Sequence, residues 1–360
     1  MRLVHLSDLH LGFRQYQRLT PAGANQREVD VARTFERTIE RVIALRPDVV
    51  LVAGDVFHAV RPSNPAILHA FRQFTRLRVA LPETLVVMVA GNHDAPKTSE
   101  TGCILRLFRE LGIHVADDAP DRMQFPERDL SILAVPDAPT ATRPVFAPEW
   151  SYVALGHYHV YRAVAPNAYY SGSLDYTSAN AWGEVHEERA AGIAGKGFIE
   201  RDLATGEHVF HPIEPSRPLL ELPEIVARGM SSAELDAAIR ATVEQAPGGI
   251  DDKIVRLVVR DVPRHIAREL DHKALREFKR RALHFHLLTF KPDVERHNVG
   301  GAPGRRPSLP DIVREKLRTR LLPSDVDRDA LVALGLRYLE EADALVATEP
   351  ALVTTAEEVE

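Results

Sequence analysis

The stretch "DVVLVAGDVFH", Asp48 to His58, carries an unbroken apolar run that stops at a Gly-Asp pair. A short apolar run closed by a turn residue reads as a strand that leaves its sheet at the glycine. Before it, "REVDVARTFERTIERVIALRP" has the period of an amphipathic helix, and before that "RLVHLSD" reads as a strand. After it come a helical pattern, "NPAILHAFRQFTRL", and a second strand that ends on a glycine, "TLVVMVAGNHD". Short apolar runs alternating with helical periods are the signature of an α/β layer structure, so a layered α/β sandwich is expected.

The pattern continues with a helix in "ETGCILRLFRELG", strands in "IHVAD", "LSILAVP", "SYVALGH" and "NAYYSGS", and a hairpin turning at Thr205-Gly206. Past the prolines between Pro212 and Pro218 the texture changes: serine-capped helix "SSAELDAAIRATVEQ", strand "DKIVRLVVRDV", helix "HKALREFKRRAL", strand "HFHLLTFK". The expected division is a first domain over 1–212, a small α/β domain over 213–292 and a Gly/Pro linker over 293–308. A helical segment over 309–346 and an acidic tail over 347–360 complete it.

With 360 residues and ordinary apolar and charged fractions, the chain can bury two or three cores. Its apolar runs are far short of the roughly 20 residues that span a bilayer, so no membrane segment is expected. The N-terminus reads as a first strand rather than a leader. The one cysteine, Cys103, excludes an internal disulfide and a thiolate metal cage, consistent with a cytoplasmic protein. A net charge of −6 argues against generic polyanion binding, so any nucleic-acid role must come from local patches or metals.

Four polar clusters each stand where an apolar strand runs out: "SDLH" (Asp8, His10), "GDVFH" (Asp55, His58), "GNHD" (Asn92, His93, Asp94) and "GHYH" (His157, His159). Loops at strand ends of an α/β sheet are where ligand sites gather. In an extended chain residues i and i+2 point to one side, which lets each D-x-H or H-x-H pair chelate. Carboxylate, imidazole and amide oxygens suit Mn²⁺, Fe²⁺ or Zn²⁺. A carboxylate such as Asp55 can bridge two ions about 3.5–4 Å apart, which is a two-metal hydrolase reading. The remaining histidines, among them His5, His114, His186, His284 and His286, lack such partners and read as ordinary core or surface residues.

The order D-x-H, G-D-x-x-H, G-N-H-D, G-H-x-H resembles the calcineurin-like metallophosphoesterases. Together with "YYSGSLDYTSANAWGE…GKGF" and the small α/β domain that follows, it resembles more narrowly the SbcD-type double-strand-break-repair exonuclease subunits. The resemblance implies two divalent ions, Mn²⁺ above all, one held by Asp8, His10, Asp55 and His159 and the other by Asp55, Asn92 and His157. It implies that His93 stabilises the transition state or protonates the leaving oxygen, and that His58 orients the scissile phosphate. Asp94 is expected to fix the His93 ring from behind. The implied reaction is hydrolysis of a DNA phosphodiester by an exonuclease with endonuclease capacity. The family pattern also has a histidine between "LSILAVP" and "ALGHYH", and the interval from Val115 to Gly156 contains none. The second ion therefore has three assigned ligands, and activity is expected to be weakened. We read this as either a natural or engineered shortening between Pro136 and Trp150 or a segment missing from the recorded sequence, rather than a substitution by His114 or Asp137.

The segment "RHIARELDHKALREFKRR" has seven Lys/Arg against three Asp/Glu. The resemblance makes Lys273, Arg276, Lys279 and Arg280 candidate contacts to a DNA backbone. In the last helices, Leu331, Leu334, Leu336 and Tyr338 are more apolar surface than a short isolated helix pair can bury. The resemblance implies that they dock on an SbcC-type ABC ATPase, and that the chain forms a homodimer. Two other functions share some of these features: a phosphoesterase for a small substrate, and a metal-deficient DNA-end-binding or scaffold subunit.

Overall fold

The computed structural model describes residues 1–96, 102–136, 150–292, 309–319 and 327–348. They fall into two compact units, Met1–Pro292 and Asp293–Glu360. The linker expected over 293–308, the segment before Trp150 that includes Asp137, and most of the acidic tail lie outside the described residues.

In the first unit, β1 (Arg2–Leu6), β2 (Val49–Ala53), β3 (Leu85–Val89) and β4 (His114–Ala116) run parallel, with α1 (Gln26–Leu45) and α2 (Asn64–Ala80) as crossovers. Alternate residues of each strand enter different layers. Val4, Leu6, Val50, Val52, Val86 and Met88 pack with Phe35, Phe57, Phe74 and Phe108 under the helices. Leu3, Val49, Leu85 and Val87 pack on the other face with Phe125, Leu130, Ile132 and Tyr152. That second layer is built from the hairpin of β5 (Asp121–Phe125) and β6 (Leu130–Ala134) and a small sheet. The small sheet has β7 (Val153–Leu155), β8 (Arg162–Ala165) and β9 (Ala168–Tyr170) in the order β7-β9-β8. After α3 (Ala181–Ala190), the hairpin of β10 (Gly197–Asp202) and β11 (His208–Pro212) returns to extend the main sheet antiparallel to β1. The result is the layered α/β sandwich that the alternation of strands and helices predicts.

Local chemistry sets the helix ends. Asn25 accepts from the backbone N–H groups of Arg27 and Glu28 to open α1, and Ser63 accepts from Ala66 to open α2. The expected helix after Glu100 is instead a 3₁₀ segment, Ile104–Leu111. Its buried Leu105 and Phe108 are three residues apart, the spacing that a three-residue turn aligns.

The second sheet is wholly parallel: β12 (Leu219–Glu221) and β13 (Ile225–Val226) lie on one side of β14 (Ile254–Arg260), and β15 (His284–Thr289) on the other. The crossovers are α4 (Ser232–Glu244), opened by a Ser231–Glu234 capping box, and the pair α5 (Arg264–Glu269) and α6 (His272–Arg281). It has its own core of Leu235, Ile239, Val243, Val255, Leu257, Phe278 and Phe285. Arg18 ties it to the first sheet's loops by donating to the carbonyls of Arg280 (2.7 Å) and Ala282 (3.0 Å), and Tyr16 stacks on His284 at 4.0 Å. A third link joins α3 to β12 and β14: Glu221 accepts from Arg189 (3.2 Å) and pairs with His186 (2.7 Å) and Arg256, whose guanidinium lies over Trp182.

In the other unit, α7 (Leu309–Thr319) and α8 (Arg328–Thr348) pack together where a Cβ on Gly335 would fall 2.7 Å from the Leu317 side chain. Leu334 and Tyr338 are exposed, and Leu331 and Leu336 are half-buried. Among the described residues no helix is long and apolar enough to cross a membrane.

Candidate metal centre

All four polar clusters follow strand ends: Asp8 and His10 follow β1, Asp55 and His58 follow β2, Asn92, His93 and Asp94 follow β3, and His157 and His159 follow β7. The loops are knitted together. Asp8 donates its N–H to the Gly54 carbonyl, His10 to that of Asp55, and His58 to that of Leu11. Two glycines permit the crossing: a Cβ on Gly91 would lie 2.2 Å from Asp55 Oδ1, and one on Gly156 would lie 1.7 Å from the Ala53 carbonyl oxygen.

The side chains converge for a different reason than strand alternation. Asp8, His10, Asp55 and His157 have φ of 52°, 46°, 50° and 83°, all in the left-handed region. Each is a tight reversal that aims its side chain inward, a conformation cheaper for Asp and His than for β-branched residues and concentrated at functional sites.

The ligating atoms of Asp8, His10 and His159 lie within 4.8 Å of one another. His10 Nε2 is 3.0 Å from His159 Nε2 and 3.9 Å from Asp55 Oδ2, and His159 Nε2 is 4.0 Å from Asp8 Oδ1. His157 Nδ1 sits 3.2 Å from Asn92 Oδ1, both on the exposed side. Asp55 Oδ1 accepts the His93 N–H (2.9 Å), and Asp8 accepts the Ser7 hydroxyl (2.6 Å) and the His157 N–H (2.9 Å). A second group brings His10, His58 and His93 together. His93 Nδ1 is 2.8 Å from the His58 carbonyl, which can only accept, so this nitrogen is the donor and Nε2 is left without that bond.

Burial pushes the Asp8 carboxyl up to about 6, against the pull of His159 and Ser7. It raises Asp55 too, opposed by the His93 N–H. Burial, reinforced by the neighbouring imidazoles, holds His10 well below the ordinary imidazole range. Two carboxylates disfavoured as anions, beside two Nε2 atoms facing each other across 3.0 Å, form a donor set that a divalent cation satisfies.

Asp94 differs from expectation. Its buried carboxylate does not reach the His93 ring; it accepts from the N–H groups of Val56 (3.0 Å), Phe57 (2.9 Å) and Gly91 (3.1 Å). It ties the loop after β2 to the loop after β3, so it places Asp55 and Asn92 through the backbone. His114 is not brought to the site either: it opens β4 with its ring against Phe125. Lys273, Arg276, Lys279 and Arg280 are exposed on α6. Lys279 lines a cleft of about 770 Å³ with Tyr16, Arg18, His284 and His286, and Arg280 pairs with Glu277. The residues missed by sequence reasoning are Glu184 and Lys196, which stand behind His159. Both belong to the quoted "WGE…GKGF" segment, which carried no separate chemical pattern.

Residues 1–134 match the calcineurin-like phosphoesterase family. The chain is 33% identical over 112 residues to the DNA double-strand break repair protein Mre11 of Methanococcus maripaludis, covering 31% of this chain and 28% of that protein. It is 37% identical over 97 residues to that of Methanocaldococcus jannaschii (27% and 24%). A longer alignment, 25% identical over 375 positions, covers 83% of this chain and 58% of the Mre11 of Methanosarcina mazei. The chain thus spans between about a quarter and just over half of these relatives' lengths. Residues 1–134 are thus similar to the calcineurin-like phosphoesterases, and the chain is similar to the Mre11 DNA double-strand break repair proteins.

Proposed function

We propose that the chain is a DNA nuclease that hydrolyses phosphodiesters with two divalent ions, Mn²⁺ by preference, and processes DNA breaks with an SbcC-type ATPase in the cytoplasm. The observation that carries this reading is the cluster of buried Asp8 and Asp55 with the Nε2 atoms of His10 and His159, beside the Asn92–His157 pair. Asp8, His10, Asp55 and His159 would hold one ion, and Asp55, Asn92 and His157 the other. Bound there, the ions supply positive charge against the phosphoryl oxygens and lower the pKa of a water. With Nδ1 of His93 bonded to the His58 carbonyl, Nε2 is the nitrogen left to exchange a proton with a leaving oxygen. His58, stacked on His93 with centroids 5.3 Å apart, is placed to contact the phosphate. The division at 212/213 makes the second sheet a capping domain whose α6 positions the duplex through Lys273, Arg276, Lys279 and Arg280. The helical segment with Leu334 and Tyr338 exposed is assigned to the ATPase, and the active form to a homodimer.

Asn92 and His157 are the exposed donors of the second ion, and with Asp55 they are three where the family pattern has four. That favours weakened activity, and it gives a metal-deficient DNA-end-binding subunit as the second reading. Digestion of an end-labelled duplex, with metal content measured on the same sample, separates the readings. Mn²⁺-dependent cleavage that is lost with chelator and falls at least about 100-fold in Asp55→Ala is expected. One ion per chain with DNA bound and uncut favours the second reading.

A further inference from the structure

His159 is the one proposed ligand with a charged pair built behind it. Its Nδ1 is buried and meets no well-aligned hydrogen-bond partner, while Glu184 Oε1 stands 3.3 Å away. Glu184 Oε2 is gripped by Lys196 Nζ at 2.6 Å, and the same ammonium donates to the His159 carbonyl at 2.7 Å. Lys196 is almost wholly buried, lies over the Tyr176 ring at 4.6 Å and is 3.0 Å from Glu188 Oε1. One cation therefore fixes both the backbone of His159 and the carboxylate that faces its ring.

We propose that Glu184, anchored by Lys196, is the positioning residue for His159: it keeps the ring proton on Nδ1 and leaves Nε2 bare for a divalent cation. A carboxylate only accepts, so the nitrogen facing it must be the donor, and a neutral imidazole has one donor. The lone pair is then on Nε2, the atom 3.0 Å from His10 Nε2 and 4.0 Å from Asp8 Oδ1. Lys196 holds the other oxygen of Glu184 at 2.6 Å, which keeps the carboxylate turned toward the ring as an acceptor. Such partners of metal-binding histidines typically set about 10- to 100-fold in metal affinity. The inference rests on the two-metal reading, and its experiment is chosen to fail separately.

The test is calorimetric titration of the metal-stripped full chain with Mn²⁺, comparing wild type with Glu184→Gln and Glu184→Ala, each checked for fold by circular dichroism. Lys196 takes the amide oxygen of Glu184→Gln, turning its NH₂ toward the ring and demanding an acceptor at Nδ1. Both variants are expected to weaken one class of Mn²⁺ sites about 10- to 100-fold. The other class should change by less than about twofold. Wild-type affinity in the isosteric Gln variant overturns the proposal, because a brace that only filled space would be preserved. If neither variant folds, the ring ¹⁵N shifts of His159 in the metal-free wild type at pH about 8.5 decide. The Nδ1–H tautomer is expected, and Nε2–H overturns the proposal. A wild-type chain that takes up no Mn²⁺ overturns the phosphodiesterase reading instead, and the tautomer then judges the positioning role alone.

Discussion

His5 shows how one residue can belong to the centre's surroundings without belonging to its chemistry. It sits in β1, fully buried, with Nδ1 2.9 Å from the Tyr152 hydroxyl. Burial lowers its pKa from 6.5 to about 3. The unfolded chain therefore binds one more proton than the folded one between those values, and stability falls as pH drops from about 6.5 toward 3. Urea unfolding across that range should show a slope contribution of up to about 1.4 kcal/mol per pH unit that His5→Gln removes. The residues of the candidate centre were legible as residue types and spacings. What the spacing could not reveal was the left-handed backbone at Asp8, His10, Asp55 and His157, because nothing in D-x-H separates a strand from a tight reversal. Asp94 was legible as a member of the cluster, but its bonds go to backbone N–H groups, which no side-chain pattern announces.

Among the elements, β1, β2, β3 and the helices between them were readable because each buries a continuous apolar face. Helix α3 was not, because the side it buries is Glu184, Val185 and Glu188, and a hydrophobic period cannot detect a helix that buries carboxylates. The strands β8, β12 and β13 escaped for want of length, and β5, as long as β1, because its DRMQF is mostly polar and buries only Phe125. The approach of β7 to β2 requires a glycine at 156, since a Cβ there would meet the Ala53 carbonyl oxygen at 1.7 Å. Backbone cannot yield as a flexible side chain does, so Gly156→Ala should cost more than about 3 kcal/mol. The expected result is a loss of soluble expression or a thermal midpoint lowered by many degrees. An unchanged midpoint would mean that β7 does not seat as described.

Over the whole of the first unit, the first sheet and the second sheet with its own core are joined by polar links: Arg18 to the end of α6, Arg217 to Asp30 (3.0 Å), and the Glu221 cluster on α3. Removing Glu221 leaves His186, Arg189 and Arg256 facing one another without their shared acceptor. Glu221→Ala should therefore destabilise the second sheet by about 1.5–3 kcal/mol, read as an earlier, separate step in thermal unfolding followed by tryptophan fluorescence. Trp182 lies under the Arg256 guanidinium and reports on that contact.

Helix α3 takes part in two of these structures at once. One side of its ten residues carries Glu184, aimed at the His159 ring; others carry Trp182, His186 and Arg189, joined to β12 and β14. Three turns of helix are stiff over that distance, so the rod acts as a rocker arm. A load that shifts the second sheet also tilts the carboxylate behind the imidazole. On the proposed reading, a substrate long enough to load the second sheet would be felt behind the ion site through this helix, and one too short to reach that sheet would not.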